Sequence, residues 1–527
     1  MSTNRYVVVF DFPGIKEYVF GTDRLVEIRG ASSILDQLNR IELPSFIKGA
    51  FPSPQTSQHC VFAAGGGAQF ILQAPFSYIQ DCMGKLQGRI YEASGGKLRL
   101  LAGIASLQDD YPAALNQAFF ELDCQKRRFD SLTELPIHCG FIRECDSCSG
   151  SASLISRDAG ETRLLCESCH RKTQKGRSKG HWSDFVKYLA GAGDCELDNI
   201  SDLRPEDFEQ IGARCQAKKG YTALVYGDGN AMGKLVKAIR TDQQFKFFSK
   251  TVSDSLQKAC YEAMKTHCRP VDGKIPADIL LLGGDDIIVY MAADIAMPFG
   301  IDLARRFEEN TKKRFQTDSF FQNLLKGKGL TISLGISYGR THTPIAILVN
   351  QAEELLKSAK KKGSSLADSE FYSPSCIDFH LASRYNQIHV NDTRQNHLCL
   401  HTPGGKILHL FAGPYTLEEA ENLLCQATVI KRSGLARSRL HRLGDAPFLG
   451  YSLGNLETLI TWGRTAKAEQ RETLFHVWER LGCTDFPPWR LQGNTIDTPI
   501  VDLVSLSNWI SSSPKEKETT HAPSPAS

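Results

Sequence analysis

The chain has 527 residues, of which 41% are apolar and 23% charged, and a formal net charge of +3. That length is too great for one core and predicts three or four domains, while so balanced a charge excludes a polycation that coats nucleic acid along its whole length. No apolar run approaches the roughly 20 residues of a membrane span, and the start, MSTNRYVVVFDFPG, has no basic stretch leading into a long apolar one; the protein is expected in the cytoplasm, without a membrane partner.

The first predicted elements form an α/β unit over residues 1–135. YVVVFDFPGIKEYV reads as a strand ending in Asp11 and a turn into a helix, where Asp11 is expected to cap the turn or helix. CVFAAGGGAQFIL reads as a hairpin around three glycines, and LRLLAGIASL as a strand with Gly103 at its middle.

Residues 136–214 carry a different signal. Cys145-x2-Cys148 and Cys166-x2-Cys169 are separated by 17 residues, the spacing of a four-cysteine Zn2+ site whose closed tetrahedron makes it structural. Cys139 and His170 lie close enough in sequence to be alternative ligands. The remaining cysteines are scattered and read as buried thiols rather than disulfides. RKTQKGRSKG (171–180) and KRSGLARSRLHR (431–442) are basic, and each is either a solvated face or a groove for phosphates.

Over residues 215–370 the landmarks of the first unit recur in order. TALVYGDGNAMGKLV is a strand ending in Asp228, LLGGDDIIVYM a hairpin, and LTISLGISYG a strand with Gly335 at its middle. Asp11 to Gly65 is 54 positions and Asp228 to Gly283 is 55, whereas the next interval lengthens from 38 to 52, as an insertion around residues 312–329 would produce. A duplication is the simplest account. Aligned on the first glycine, Asp285 and Asp286 face Gly67 and Ala68, so the first copy is expected to be degenerate and the second active.

Adjacent carboxylates repel and are costly to desolvate, so a bland hairpin would not place two at its tip. With Asp228 they make three acids at one sheet end, a set that can hold two Mg2+ or Mn2+ ions for in-line nucleotidyl transfer. Gly283 and Gly284 would let a nucleotide approach the turn. After residue 370 the pattern is mainly helical to about residue 510, with a Thr416-x-x-Glu419 capping box and helices near 436–445, 451–464 and 466–482. Residues 511–527 are polar and proline-bearing and are expected to be disordered.

YGDGNAMGKL, LLGGDDIIVY, TISLGISYG and AEELLKSAKKKG together resemble the second palm domain of the large, polymerase-like subunit of type III CRISPR effector complexes, and more distantly GGDEF-type cyclases. The resemblance implies two ferredoxin-like palm units separated by the zinc element and followed by a helical C-terminal domain that contacts neighbouring subunits. It implies metal binding at Asp228, Asp285 and Asp286, nucleotide contacts at Gly229, Gly283 and Gly284, and a triphosphate contact at Lys360. The implied activity joins ATP into cyclic oligoadenylates that act as second messengers in antiviral defence, with RNA and CRISPR-like effector subunits as partners. Two departures stand out. Asn230 replaces an acid of the family's first motif, and no His-Asp dipeptide occurs, which suggests a shorter relative without the nuclease domain. The competing reading is a palm that has kept its shape and lost its activity, serving as a nucleotide- or RNA-binding scaffold.

Overall fold

The computed structural model describes residues 4–52, 57–108, 110–130, 143–158, 161–177, 180–191, 203–381, 389–402, 405–483, 488–492 and 495–510. The chain divides into two compact units. One holds residues 1–215, 219–397 and 413–421; the other holds 216–218, 398–412 and 422–527.

In the larger unit, β1 (Arg5–Asp11), β2 (Ser57–Ala64), β3 (Gly67–Gln73) and β4 (Leu101–Leu107) form a sheet of order β2-β3-β1-β4 with every neighbouring pair antiparallel. Helices fill the β1–β2 and β3–β4 connections, and the result is a ferredoxin-like split βαβ. β5 (Leu154–Asp158) and β6 (Glu161–Leu165) make a separate hairpin that leads into the helix Glu167–Gly176.

The second copy repeats the first. β7 (Tyr221–Gly229), β8 (Ala277–Gly283), β9 (Asp286–Ala292) and β10 (Ile332–Arg340) take the order β10-β7-β9-β8. β11 (Cys376–Leu381) adds in parallel to β10, and Tyr415–Thr416 pairs with β11 beyond it. Thus the second sheet gathers strands from beyond residue 370, where the short apolar stretch around Ile377 gives little periodicity to read. The lengthened interval is occupied by the helix Ala293–Phe315 and a short extra helix, Ser319–Leu324, where the first copy has the single helix Phe76–Ala93.

The strand registers make the duplication specific. Asp11 stands opposite Gly67 and Leu101, and Asp228 opposite Asp286 and Ser333. Both hairpins are irregular at the same depth, between Cys60 and Phe62 and between Ile279 and Leu281. These registers correct the glycine-on-glycine alignment by one position: Ala64 matches Gly283, so Gly66 and Gly67 occupy the places of Asp285 and Asp286. The bulge and the pairing set where each turn falls, rather than the first glycine. Gly103 and Gly335 are also equivalent. A Cβ on either would lie 1.9 or 2.0 Å from a helix carbonyl, that of Ala118 or Ala352, so each sheet meets its helix backbone to backbone.

A single apolar core runs through both copies, including Val8, Phe10 and Phe70 of the first and Leu224, Ile288 and Leu348 of the second. Each fully buried side chain of this kind stabilises the fold by about 1.5–3 kcal/mol.

The smaller unit is mainly helical, with helices Arg437–Asp445, Tyr451–Gly463, Ala468–Arg480 and Ile500–Ser507. It also contains a small sheet of Cys399–His401, Ile407–His409, Thr495–Asp497 and Arg490–Gln492, packed around Leu408, Leu410, Trp489 and Ile496. The capping box forms as expected: the Thr416 amide donates to Glu419 (2.8 Å) and the Glu419 amide to the Thr416 hydroxyl (3.3 Å). Residues 511–527 lie outside the described residues.

Candidate active site and metal centre

Three sequence-predicted acids meet at one end of the second sheet. β7 is buried along nearly its whole length and delivers Asp228 at its exit, directly opposite Asp286 at the start of β9. Directly opposed residues have Cβ atoms about 4.5–5.5 Å apart, within reach of a shared cation. Gly284 takes φ +62°, and its turn places Asp285 beside Gly229, whose amide donates to the Asp285 carbonyl at 3.2 Å.

Lys360 comes from the helix Ile345–Ser365, which buries Leu348, Ala352, Leu356 and Gly363 against the sheet. That face carries Lys360 to the end of β7, where its ammonium lies 2.6 Å from Asp228 Oδ2 and 3.0 Å from the Gly229 carbonyl. The first copy contributes a second cation. Lys16 is 3.0 Å from Glu353 and lies over the Tyr226 ring at 5.0 Å. Lys16 shares with Asp286, Asn39, Arg40, Lys126 and Gly65 a cavity of about 480 Å³.

These cations leave the acids under-compensated. Burial, followed by repulsion from Asp228, pushes Asp285 up to about 6. Burial, then Asp228 and Asp285, pushes Asp286 up to about 8, even though Lys16 and Lys360 oppose the shift. A divalent ion would supply the missing positive charge, although the carboxylate oxygens of the three acids are not already gathered within 4.8 Å of one another as the cysteine ligands are.

Asn230 does not face this cluster as an acid substitute would. It is 6% exposed, and its Nδ2 donates to Thr331 Oγ1 at 3.0 Å and to the Pro374 carbonyl at 3.5 Å, tying the β7 exit to neighbouring backbone. Asp11 is a correction. The helix Ile15–Phe20 has Gly14 at its N-cap with no side-chain cap, and Asp11 instead pairs with Lys126 at 3.0 Å. The strand end points its carboxylate toward the helix Tyr111–Asp130 rather than back onto the turn.

The four cysteines converge. The ligand atoms of Cys145, Cys148, Cys166 and Cys169 all lie within 4.8 Å of one another, and Cys148 Sγ is 3.7 Å from Cys166 Sγ. With metal–sulfur bonds of about 2.3 Å, a tetrahedron has edges of about 3.8 Å, so the donor set fits a tetrahedral thiophilic ion. Hydrogen bonds from Cys166 and Cys169 hold the Cys148 thiol well below its usual range. His170 is not part of the cluster and pairs through Nε2 with Gln174 at 2.8 Å. Cys139 lies outside the described residues.

Sequence reasoning missed how this centre is attached. Glu27, fully buried in the first copy, accepts hydrogen bonds from Thr22 (2.7 Å), Ser147 (2.8 Å) and Arg163 (2.9 Å). A Cβ on Gly30 would lie 1.8 Å from the Lys172 carbonyl, and one on Gly176 1.7 Å from that of Val26, so the helices Leu25–Gln37 and Glu167–Gly176 cross in backbone contact. Much of the basic cluster at 171–180 serves this junction: Arg171 donates to the Glu92 carbonyl, Lys172 is buried against Tyr18, and Lys175 reaches Gln37.

Residues 221–367 match the family model for the second palm domain of Cas10/Cmr2. The matched stretch runs from the start of β7 past the end of β10. Over 120 residues the chain is 33% identical to the CRISPR system single-strand-specific deoxyribonuclease Cas10/Csm1 (subtype III-A) of Mycobacterium tuberculosis, a stretch covering 21% of this chain and only 13% of that relative. Two solved structures share the fold over 96% of this chain and 70% of theirs, each at 14% identity. They are a Csm1-Csm4 cassette in complex with cA4, with a TM-score of 0.56, and an apo Csm1-Csm4 cassette, with 0.51. The acid cluster at the end of β7 and β9 lies inside the residues matched by that family model. No helix among the described residues is long and apolar enough to cross a membrane.

Proposed function

We propose that the protein is a metal-dependent nucleotidyltransferase that joins ATP into cyclic oligoadenylate-type second messengers in antiviral defence, as a member of a type III CRISPR-like effector assembly. The observation that carries this reading is the opposition of Asp228 and Asp286 beside Asp285, with burial and mutual repulsion holding the latter two in want of a cation. In this reading Asp228, Asp285 and Asp286 hold Mg2+ or Mn2+, and Cys145, Cys148, Cys166 and Cys169 hold a structural Zn2+. A divalent ion in such a site lowers the pKa of an attacking 3'-hydroxyl and neutralises the departing pyrophosphate.

The chain's own groups do the rest. Gly283 and Gly284 meet the Gly65 turn on one side, so a nucleotide would reach their backbone from the side where Gly229 adjoins the turn. Lys360 is drawn off Asp228 as a triphosphate arrives and binds the phosphates. The fold shared with a cassette solved with cA4 supports adenine nucleotides as substrates, and Csm4-like subunits and RNA are the proposed partners.

A scaffold without turnover is the second reading, favoured by Asn230, which spends its amide on Thr331 rather than on a metal. Incubation of the protein with each nucleoside triphosphate, with Mg2+ or Mn2+ and with or without RNA, separates the two by mass spectrometry of the products. Oligoadenylates from wild type and none from the Asp285→Asn/Asp286→Asn variant are expected. Bound nucleotide without product in every condition would support the scaffold.

A further inference from the structure

The first copy lacks the two turn acids, yet its glycine turn touches that of the second copy. A Cβ on Gly65 would lie 2.9 Å from the Gly284 nitrogen and 3.0 Å from its Cα, and one on Gly283 would lie 3.0 Å from the Gly65 Cα. Two hairpin tips from the two palms therefore abut backbone to backbone. This contact reaches the residues whose conformation sets where Asp285 and Asp286 point.

The first tip is itself held. Asn39 is 2% exposed and lies in a π-helical turn, Leu38–Glu42, a distortion that recurs at functional sites. With its side-chain amide assigned the orientation that satisfies both neighbours, Asn39 donates to the Gly67 carbonyl at 3.1 Å and accepts from the Gly66 amide at 3.0 Å. A side-chain amide is the group that can satisfy a backbone N–H and C=O together. Gly65 and Gly66 have φ of +63° and +79°, so both central positions are left-handed, as in a type I′ turn, and the tip is narrow.

We propose that Asn39 and Gly65 are positioning residues of the second palm. The Asn39 amide locks the glycine turn of the first palm, and that turn buttresses Gly283-Gly284 so that the carboxylates of Asp285 and Asp286 are held ready for a divalent ion. Gly65, which stands in the degenerate copy where the second copy has Gly284, is thereby explained by contact rather than by chemistry. The inference rests on the metal-binding reading given above and adds a component of the site supplied by the first palm.

The test uses the full chain in three variants, Asn39→Ala, Gly65→Ala and Gly220→Ala. Gly220 has φ +79°, and nothing lies within 4 Å of its Cβ position, so alanine there carries the same left-handed strain in open space. Hydrogen exchange is followed in the peptide spanning 281–288, and Mn2+ affinity is followed by electron paramagnetic resonance, with Asp286→Asn as the metal-site reference. Asn39→Ala and Gly65→Ala are expected to speed exchange in that peptide and to weaken Mn2+ binding about tenfold, while Gly220→Ala does neither. Unchanged exchange at 281–288 in both variants would overturn the proposal, as would faster exchange with Mn2+ affinity equal to wild type. Wild type with no Asp286-dependent Mn2+ binding would overturn the metal reading and the positioning role together, a result distinct from either of those.

Discussion

Replacing Asp286 by asparagine should stabilise the metal-free protein at alkaline pH. The carboxyl is raised from 3.8 to about 8, which means that the fold favours its protonated form. That contribution is fully present below pH 3.8 and is lost as the pH climbs through about 8. At roughly 1.4 kcal/mol per unit the shift corresponds to a ceiling of about 5–6 kcal/mol. Because the side chain shares its field with Asp228 and Asp285, coupled protonation reduces this to about 2 kcal/mol. At about 2–4 °C per kcal/mol, Asp286→Asn should melt about 4–8 °C above wild type at pH 8.5 without added divalent ions, and level with it near pH 4. Thermal melts of the unit holding both palms measure this directly. Added Mn2+ should then stabilise wild type and leave the variant unmoved. A variant that melts below wild type at pH 8.5 in the absence of divalent ions would refute the electrostatic account of the cluster.

One zinc ion per chain is the expected stoichiometry, and Cys166→Ser should lower it and destabilise the protein by several kcal/mol, read by elemental analysis and melting. Glu27→Ala strands the buried Arg163 guanidinium and should cost about 3–5 kcal/mol, with faster zinc loss to a chelator as a second readout. Asn230→Asp, although it restores the acid expected of the family, should not raise turnover; it removes the donor to Thr331, costs about 1–3 kcal/mol, and is checked by melting and by product yield. Lys360→Met should raise the KM for triphosphate about tenfold, with a smaller effect on kcat, in steady-state kinetics.

The elements that local pattern determines were legible in the amino-acid sequence. Runs such as YVVVF and IIVYM become β1 and β9, and the cysteine spacing brings four thiols together. The hairpin registers were readable to within one residue, because a bulge shifts pairing without leaving a composition signal. What escaped notice depends on partners far away in the chain. Glu27 meets Arg163 across 136 positions, and Gly65 meets Gly284 across more than two hundred. Nothing beside either residue announces such a partner, and a buried glutamate is rare enough that periodicity places it on a surface. The partner of Asp11 is hidden for the same reason, since Lys126 lies far along the chain, on the helix Tyr111–Asp130.

The crossing at Gly30 and Gly176 bears on how the protein can be taken apart. The helix Leu25–Gln37 presents a bare backbone strip and the buried Glu27 side chain to a partner made about 140 residues later. During synthesis the first palm therefore waits, incomplete, until the cysteine hairpin has emerged and closed. A fragment cut at the first sheet's end would keep every strand of that sheet and expose the strip to water. A piece that holds the first palm therefore needs the cysteine hairpin as well, and it still bares the core shared with the second palm, so sheet boundaries are the wrong places to cut.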